Sequence, residues 1–147
     1  MADHSHTASS TGALQVVVVT PEATVRETTA SFVAVPLFDG ELGVAPKHSP
    51  MIGRLGYGEL RIKSDAGTER FYVDGGFVQV ADDVVYVLTN RALPAEKLDA
   101  AVAGEQLAAA RRKPANSPEL LAIRDRLESQ ARAQLRVAGG KTAAHSH

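Results

Sequence analysis

The chain has 147 residues, 16 Lys and Arg against 17 Asp and Glu, and no Cys. The near-neutral balance excludes the basic footprint of a general nucleic-acid binder, and the missing thiols exclude disulfides, thiolate zinc sites and cysteine nucleophiles. Hydrophobic residues make up 44% but aromatics only 5%, so a domain of this size must build its core from Val, Leu, Ile and Ala. Residues 1–12 are small and polar. They read as a disordered tail, without the basic start and apolar stretch of a signal peptide. No apolar run approaches the roughly 18 residues a membrane span needs, so membrane association is expected only through a partner.

From Leu14 to Asn90 the pattern is β. Leu14–Thr20 is a Val-rich strand, because β-branched side chains fit a pleated surface, and Pro21 stops it. Thr24–Glu27 and Ser31–Phe38 follow as strands, with Pro36 requiring an edge or a bulge because it has no ladder donor. The stretch Gly40–Pro50 reads as a rigid polar loop, with Pro46 and Pro50 fixing its shape around His48. Tyr57–Ser64 alternates, with Leu60 and Ile62 on one face and Glu59, Arg61 and Lys63 on the other. Asp65-Ala66-Gly67-Thr68 supplies turn chemistry and Glu69–Val73 returns, which makes a hairpin. Gly75-Gly76 reads as a bulge or bend. Phe77–Val80, a turn at Asp82-Asp83 and Val84–Leu88 close the series. Many short strands at regular spacing imply a sandwich or flattened barrel over residues 13–92.

The period changes at Leu93-Pro94. Ala95–Lys113 is rich in helix formers, though Gly104 costs it about 1 kcal/mol relative to Ala. After the Pro114–Pro118 turn, Ser117 suits an N-cap and Pro118 the first helical position. The second helix carries a stripe of Leu120, Ile123, Leu127, Ala131 and Leu135 and should end near Gly139-Gly140. So short a connection predicts an antiparallel hairpin over 93–138, marginally stable by itself, and a second tail over 139–147. The fold class is therefore mostly β plus α: an N-terminal β-sandwich followed by a C-terminal antiparallel helical hairpin.

Catalytic signatures are absent: no P-loop, no G-x-G-x-x-G after a strand, no H-E-x-x-H. His4, His6, His145 and His147 sit in the tails as His-x-His pairs, too few and too flexible for a metal site. No cofactor or metal is expected. His48 is the one histidine of the folded region, with Asp39 and Glu41 nearby in sequence. An acid/base pair is conceivable there, but no nucleophile or oxyanion donor set accompanies it, so a loop or interface role is the better reading. Arg124, Arg126, Arg132 and Arg136 give the second helix a basic character against Asp125 and Glu128. They form either a solvated face or a strip that meets an acidic partner.

The stretch Gly40-Glu-Leu-Gly-Val-Ala-Pro-Lys-His-Ser-Pro50 resembles the G-E-L-G-x-x-P-x-H-[AS]-P signature of the epsilon subunit of bacterial F-type ATP synthases. Tyr72-Val-Asp-Gly-Gly-Phe-Val-Gln-Val80, followed by Val85-Tyr-Val-Leu88, is similar to that family's second signature, and the resemblance spans roughly residues 13 to 138. It implies a ten-stranded sandwich followed by a helical hairpin, seated on the central stalk at the cytoplasmic face of the bacterial inner membrane. Implied partners are the gamma subunit, the c-ring and the catalytic beta and alpha subunits. The loop around Asp39, Glu41 and His48 would face the c-ring. The helices would leave the sandwich, extend along gamma and, through their basic residues, block rotation in the hydrolysis direction. Some members bind ATP through [IL]-D-x-x-R-A on the first helix. Here Leu98-Asp99-Ala100-Ala101-Val102-Ala103 has Val102 in place of the arginine, which removes a charge-assisted phosphate contact and argues against tight ATP binding. The rival readings are a generic β-sandwich adaptor with a helical docking arm and a small hydrolase using His48.

Overall fold

The computed structural model describes residues 12–145, with side chains through Gly139. Of the tail expected over residues 1–12, all but Gly12, including His4 and His6, lies outside the described residues, as do His147 and the His145 side chain. The chain divides into two compact units, Met1–Ala92 and Leu93–His147.

The first unit contains β1 (Leu14–Val19), β2 (Thr24–Ala30), β3 (Phe32–Leu37), β4 (Gly40–Val44), β5 (Met51–Ser64), β6 (Gly67–Ala81) and β7 (Val84–Thr89). A short β8 (Ala92–Pro94) pairs with β6. The order across the sheet is β2-β1-β7-β6-β5-β3-β4. All these pairings are antiparallel except that of β1 with β7.

The long pair β5–β6 shapes the unit. Its ladder runs from Ser64↔Gly67 to Tyr57↔Asp74, resumes at Leu55↔Gly76 and continues to Met51↔Val80. Gly56 and Gly75 fall in the gap, and Gly75 and Gly76 have φ of 73° and 109°, open to glycine and strained for other residues. The hairpin bends there, and its two halves serve two layers. The far halves of β5 and β6 pair with β3 and β8; the near halves join β7, β1 and β2. Each layer thus holds five strand segments. Eight continuous strands give the ten-stranded sandwich that the resemblance implies, because β5 and β6 are each counted in both layers.

Between the layers lies one core. Leu14, Val16 and Val18 of β1, Val33 and Val35 of β3, Leu60 and Ile62 of β5, Val73, Val78 and Val80 of β6, and Val85 and Val87 of β7 belong to it. The expected alternation in β5 is present: Leu60 and Ile62 are buried inward, while Arg61 forms ion pairs with Glu41 and Glu59. At the rim Arg26 of β2 donates from Nε and Nη2 to Glu69 of β6 at 2.7 and 2.8 Å, joining the two layers.

Two readings of the β region need correction, and one alternative is decided. Gly40–Val44 is a strand and not part of a loop, because β3 supplies ladder partners from Val33↔Val44 to Leu37↔Gly40. Met51–Gly56, not anticipated as a strand, continues into Tyr57–Ser64. Of the edge or bulge expected at Pro36 the structure has the second: β3 is paired on both sides, and Pro36 sits at the irregularity where pairing to β5 lapses between Ala34 and Leu37. A proline is tolerated there because no ladder donor is required of it.

In the second unit a 3-10 turn (Ala95–Lys97) precedes α1 (Ala100–Arg111), and α2 spans Pro118–His145. The first helix begins five residues later than expected, because Asp99 stops one segment and caps the next. Its carboxylate accepts from the amides of Ala101 and Val102 at 2.9 and 3.4 Å. Ser117 caps α2 as anticipated, accepting from the Leu120 amide at 3.1 Å. The second helix does not end at Gly139-Gly140; the tail read over 139–147 is helical through His145. Glycine lowers helix stability without blocking helical geometry, and Ala143-Ala144 beyond it favour the helix. The expected stripe holds only in its C-terminal part: Leu120 and Ile123 are exposed, Leu127 and Leu135 are half-buried and Ala131 is buried, and burial extends to Ala133, Gln134, Val137 and Ala138, with Ala103 and Ala110 of α1.

Two measurements check this account. A Cβ at Gly76 would overlap the Leu88 carbonyl and come within 2.8 Å of Thr89 Cα, so Gly76→Ala should lower unfolding free energy by about 2 kcal/mol or more in a denaturant titration. The Arg26 hydrogen bonds, with its charge, hold the Glu69 carboxyl below its ordinary value of 4.5. A depressed folded value gives a contribution complete above the unfolded value and lost as pH falls through the folded one. Glu69→Gln should therefore be less stable than wild type at neutral pH, with the difference shrinking as the pH falls through the depressed folded value of Glu69.

Candidate functional site

Asp39, Glu41 and His48 do not share one loop. Asp39 lies exposed in the two-residue β3–β4 turn, and His48 lies in the Ala45–Pro50 connection at the other end of β4. Five strand residues separate the two, roughly 16 Å of chain. Glu41 is on β4, where both its oxygens accept from Arg61 of β5, at 2.9 and 3.0 Å. Arg61 also reaches Glu59 at 3.1 Å, and Arg70 pairs with Glu59 as well. The hydrogen bond to Glu41 leads the effects that raise the Arg61 pKa. Glu41 thus belongs to an ion-pair row on the outer face of its layer.

The His48 loop is held at its own end. The His48 amide donates to the Ala45 carbonyl at 3.2 Å, and His48 Nδ1 lies 2.7 Å from the Ser49 carbonyl, which accepts from the Nδ1-protonated tautomer. The Lys47 amide donates to Asp83 Oδ1 at 2.6 Å. His48 is half-buried, turned to its own backbone, with Asp39 beyond reach and Glu41 committed to Arg61. The conceivable acid/base pair is not assembled. Among the described residues no group of three His, Asp or Glu side chains could hold a metal ion, and no helix is long and apolar enough to cross a membrane.

The sequence reading missed a surface. On the outer face of the layer built by the near halves of β5 and β6, Ile52 is 74% exposed, Phe77 58% and Leu88 45%, with Tyr86 beside them. Register makes these neighbours: Phe77 stands opposite Arg54 on β5 and Leu88 on β7, and Gln79 opposite Ile52 and Tyr86. Phe38, 65% exposed in the β3–β4 turn, lies under the Arg54 guanidinium at 5.5 Å, a cation–π distance. Its amide donates to the Arg54 carbonyl at 3.0 Å. The Asp39 turn therefore adjoins this apolar patch. The signal in sequence was the alternation Ile52-x-Arg54 and Phe77-x-Gln79, obscured by the surrounding glycines.

On the helices, Glu128 is a hub. Arg111 of α1 approaches it at 3.4 Å, Arg132 at 3.5 Å and Arg124 at 3.7 Å. Three guanidinium groups around one carboxylate leave an excess of positive charge. Arg136 continues the same i,i+4 row, whereas Arg126 stands roughly 200° around the helix from Arg124. Neither Arg126 nor Arg136 has an ion pair among the described residues. Of the four arginines, Arg124 and Arg132 thus flank Glu128, Arg136 continues their row without a partner carboxylate among the described residues, and Arg126 lies on another face.

The family described as ATP synthase, Delta/Epsilon chain, beta-sandwich domain matches residues 13–95. The chain belongs to this family. An ATP synthase epsilon chain from Rhodopirellula baltica is 53% identical over 124 residues, which cover 84% of this chain and 97% of the relative. An epsilon chain from Pelotomaculum thermopropionicum is 43% identical over 84 residues, covering 57% of this chain and 63% of that one. Among solved structures, a chain of the Euglena gracilis mitochondrial ATP synthase, OSCP/F1/c-ring, superposes with a TM-score of 0.78 at 21% identity. It covers 86% of this chain and 81% of that one, a likeness of fold. The epsilon-chain likeness to the Rhodopirellula relative is longer than the 13–95 sandwich match, so it reaches into the helical unit. The epsilon-chain signature Gly40–Pro50 comprises β4 and the His48 loop, and the second signature carries the Gly75-Gly76 bend and the Phe77 patch.

Proposed function

We propose that this epsilon chain is a non-catalytic rotor subunit in the central stalk of a proton-translocating F-type ATP synthase. It couples c-ring rotation to the gamma subunit and restrains ATP hydrolysis through its C-terminal helices. The observation that carries this reading is the division of labour between the units. The sandwich presents a contiguous apolar patch, Ile52, Phe77, Tyr86 and Leu88, larger than scattered surface side chains and of the kind that marks a stable protein contact. We assign that patch to gamma, and the His48 loop to the c-ring. The helical unit instead presents positive charge in excess around Glu128 and buries chiefly alanines. Alanines remove little apolar area from water, so the helical unit can rearrange at modest cost and carry its arginines to an acidic segment of the catalytic subunits. Membrane association, on the cytoplasmic face of the inner membrane, runs through the complex.

The test uses a catalytic ATPase core stripped of its own epsilon chain, from the same source, and compares the full-length chain with a truncation after Leu93. Both forms should bind, and only the full-length chain should slow hydrolysis. Binding by both without inhibition would remove the brake and leave the coupling role. Binding by neither would replace the stalk reading with that of a generic sandwich adaptor.

A further inference from the structure

Among the described residues three that are not glycine have positive φ: Lys47 at 69°, Asp82 at 53° and Asp83 at 63°. They come from two segments far apart in sequence, yet they meet. Asp83 Oδ1 accepts from the Lys47 amide at 2.6 Å, and the Asp83 carbonyl accepts from the Gln15 amide at 2.8 Å. Asp83 therefore fastens the β6–β7 turn to the start of β1 and to the middle of the His48 loop.

The chemistry at this junction is more than a turn needs. A two-residue hairpin with both central residues left-handed favours Asn-Gly or Asp-Gly. Glycine at 83 would close the turn with less strain. Glycine could not, however, accept from the Lys47 amide. Lys47 is itself left-handed, with its amide bound to Asp83 and its side chain exposed. Backbone strain gathered at one place persists only where surrounding bonds over-determine it, and such places are commonly binding or switch elements. Among the described residues the other hydrogen bonds of the loop are local, the His48 amide on Ala45 and His48 Nδ1 on Ser49.

We infer that Asp83 is a positioning residue for docking: its carboxylate holds the Ala45–Pro50 loop in the shape that meets the c-ring, so that ordering is completed on folding and not at binding. The inference rests on the reading that the His48 loop faces the c-ring. A loop fixed before contact loses less conformational freedom on association. Asp39, at the far end of β4, has no part in this restraint.

The experiment measures the affinity of the full-length chain for purified c-ring and, separately, for gamma, with hydrogen exchange at the Lys47 amide. Asp83→Ala and Asp83→Gly remove the acceptor; Asp83→Asn keeps an acceptor oxygen and tolerates the left-handed backbone. The first two should bind the c-ring roughly tenfold more weakly and exchange the Lys47 amide faster, with gamma binding unchanged. Asp83→Asn should restore wild-type values. Asp83→Gly should melt no lower than wild type, which separates docking from folding. If His48→Ala weakens c-ring binding while Asp83→Gly does not, Asp83 has no positioning role and the c-ring reading stands. If Asp83→Asn fails as Asp83→Ala does, the amide restraint is not the cause and the inference falls. If no variant affects c-ring binding, or wild type does not bind it, this inference and the c-ring reading fall together.

Discussion

The sandwich depends on one constraint: a continuous hairpin must turn a corner without losing its ladder. Gly56 and Gly75 occupy the single gap in the β5–β6 register, and Gly76 resumes pairing with a backbone conformation that a side chain would strain. A Cβ at Gly76 has no room against Leu88 and Thr89 of β7. The corner lets Leu60, Ile62, Phe71 and Val73 from one layer face Val78, Val80, Val85 and Val87 from the other in one core. Without it the same strands would form an extended sheet with two half-covered faces, and a core built almost wholly from Val, Leu and Ile could not close.

That corner also decides what the surface offers. The near halves of β5 and β6 turn Ile52, Arg54 and Phe77 outward beside Tyr86 and Leu88 of β7. The far halves turn out Glu59, Arg61 and Arg70, with Glu41 added from β4. One hairpin thus supplies an apolar face and a charged face. The first suits a tight contact that excludes water; the second is already internally paired and offers little net attraction. The positive charge left around Glu128 lies in the other unit. An apolar face and an excess of positive charge thus lie on different parts of the chain.

Much of the fold was legible where local pattern and tertiary demand agree. The Val-rich strand from Leu14, the Glu59–Lys63 alternation, the Asp65–Thr68 turn and the Ser117-Pro118 helix start all had local causes, and each is present. What escaped depended on partners distant in sequence. Gly40–Val44 looks like a loop by composition and becomes a strand because β3 lies beside it. Asp99 capping splits what composition suggests is one helix, and Gly139-Gly140 slows but does not stop the next. The site was legible as a motif and not as geometry. Gly40–Pro50 marked the region, but only the register of β4 shows that Asp39 and His48 stand at its two ends and that Glu41 is committed to Arg61. Asp83 carried no sequence signal beyond an ordinary turn, since its partner is the Lys47 amide, 36 residues away.

The central claim is that the sandwich is a rigid platform locked by its corner while the helical unit opens independently. Native-state hydrogen exchange on the intact chain, resolved by residue, tests it most directly. Amides of the β5–β6 ladder on both sides of the corner should open only at the global unfolding free energy. Those of Ala100–Arg111 and Pro118–His145, whose buried residues are mostly alanine, should exchange through openings of distinctly lower free energy and weaker denaturant dependence. A single common opening free energy for ladder and helices would contradict the account, because the helices would then have no freedom of their own.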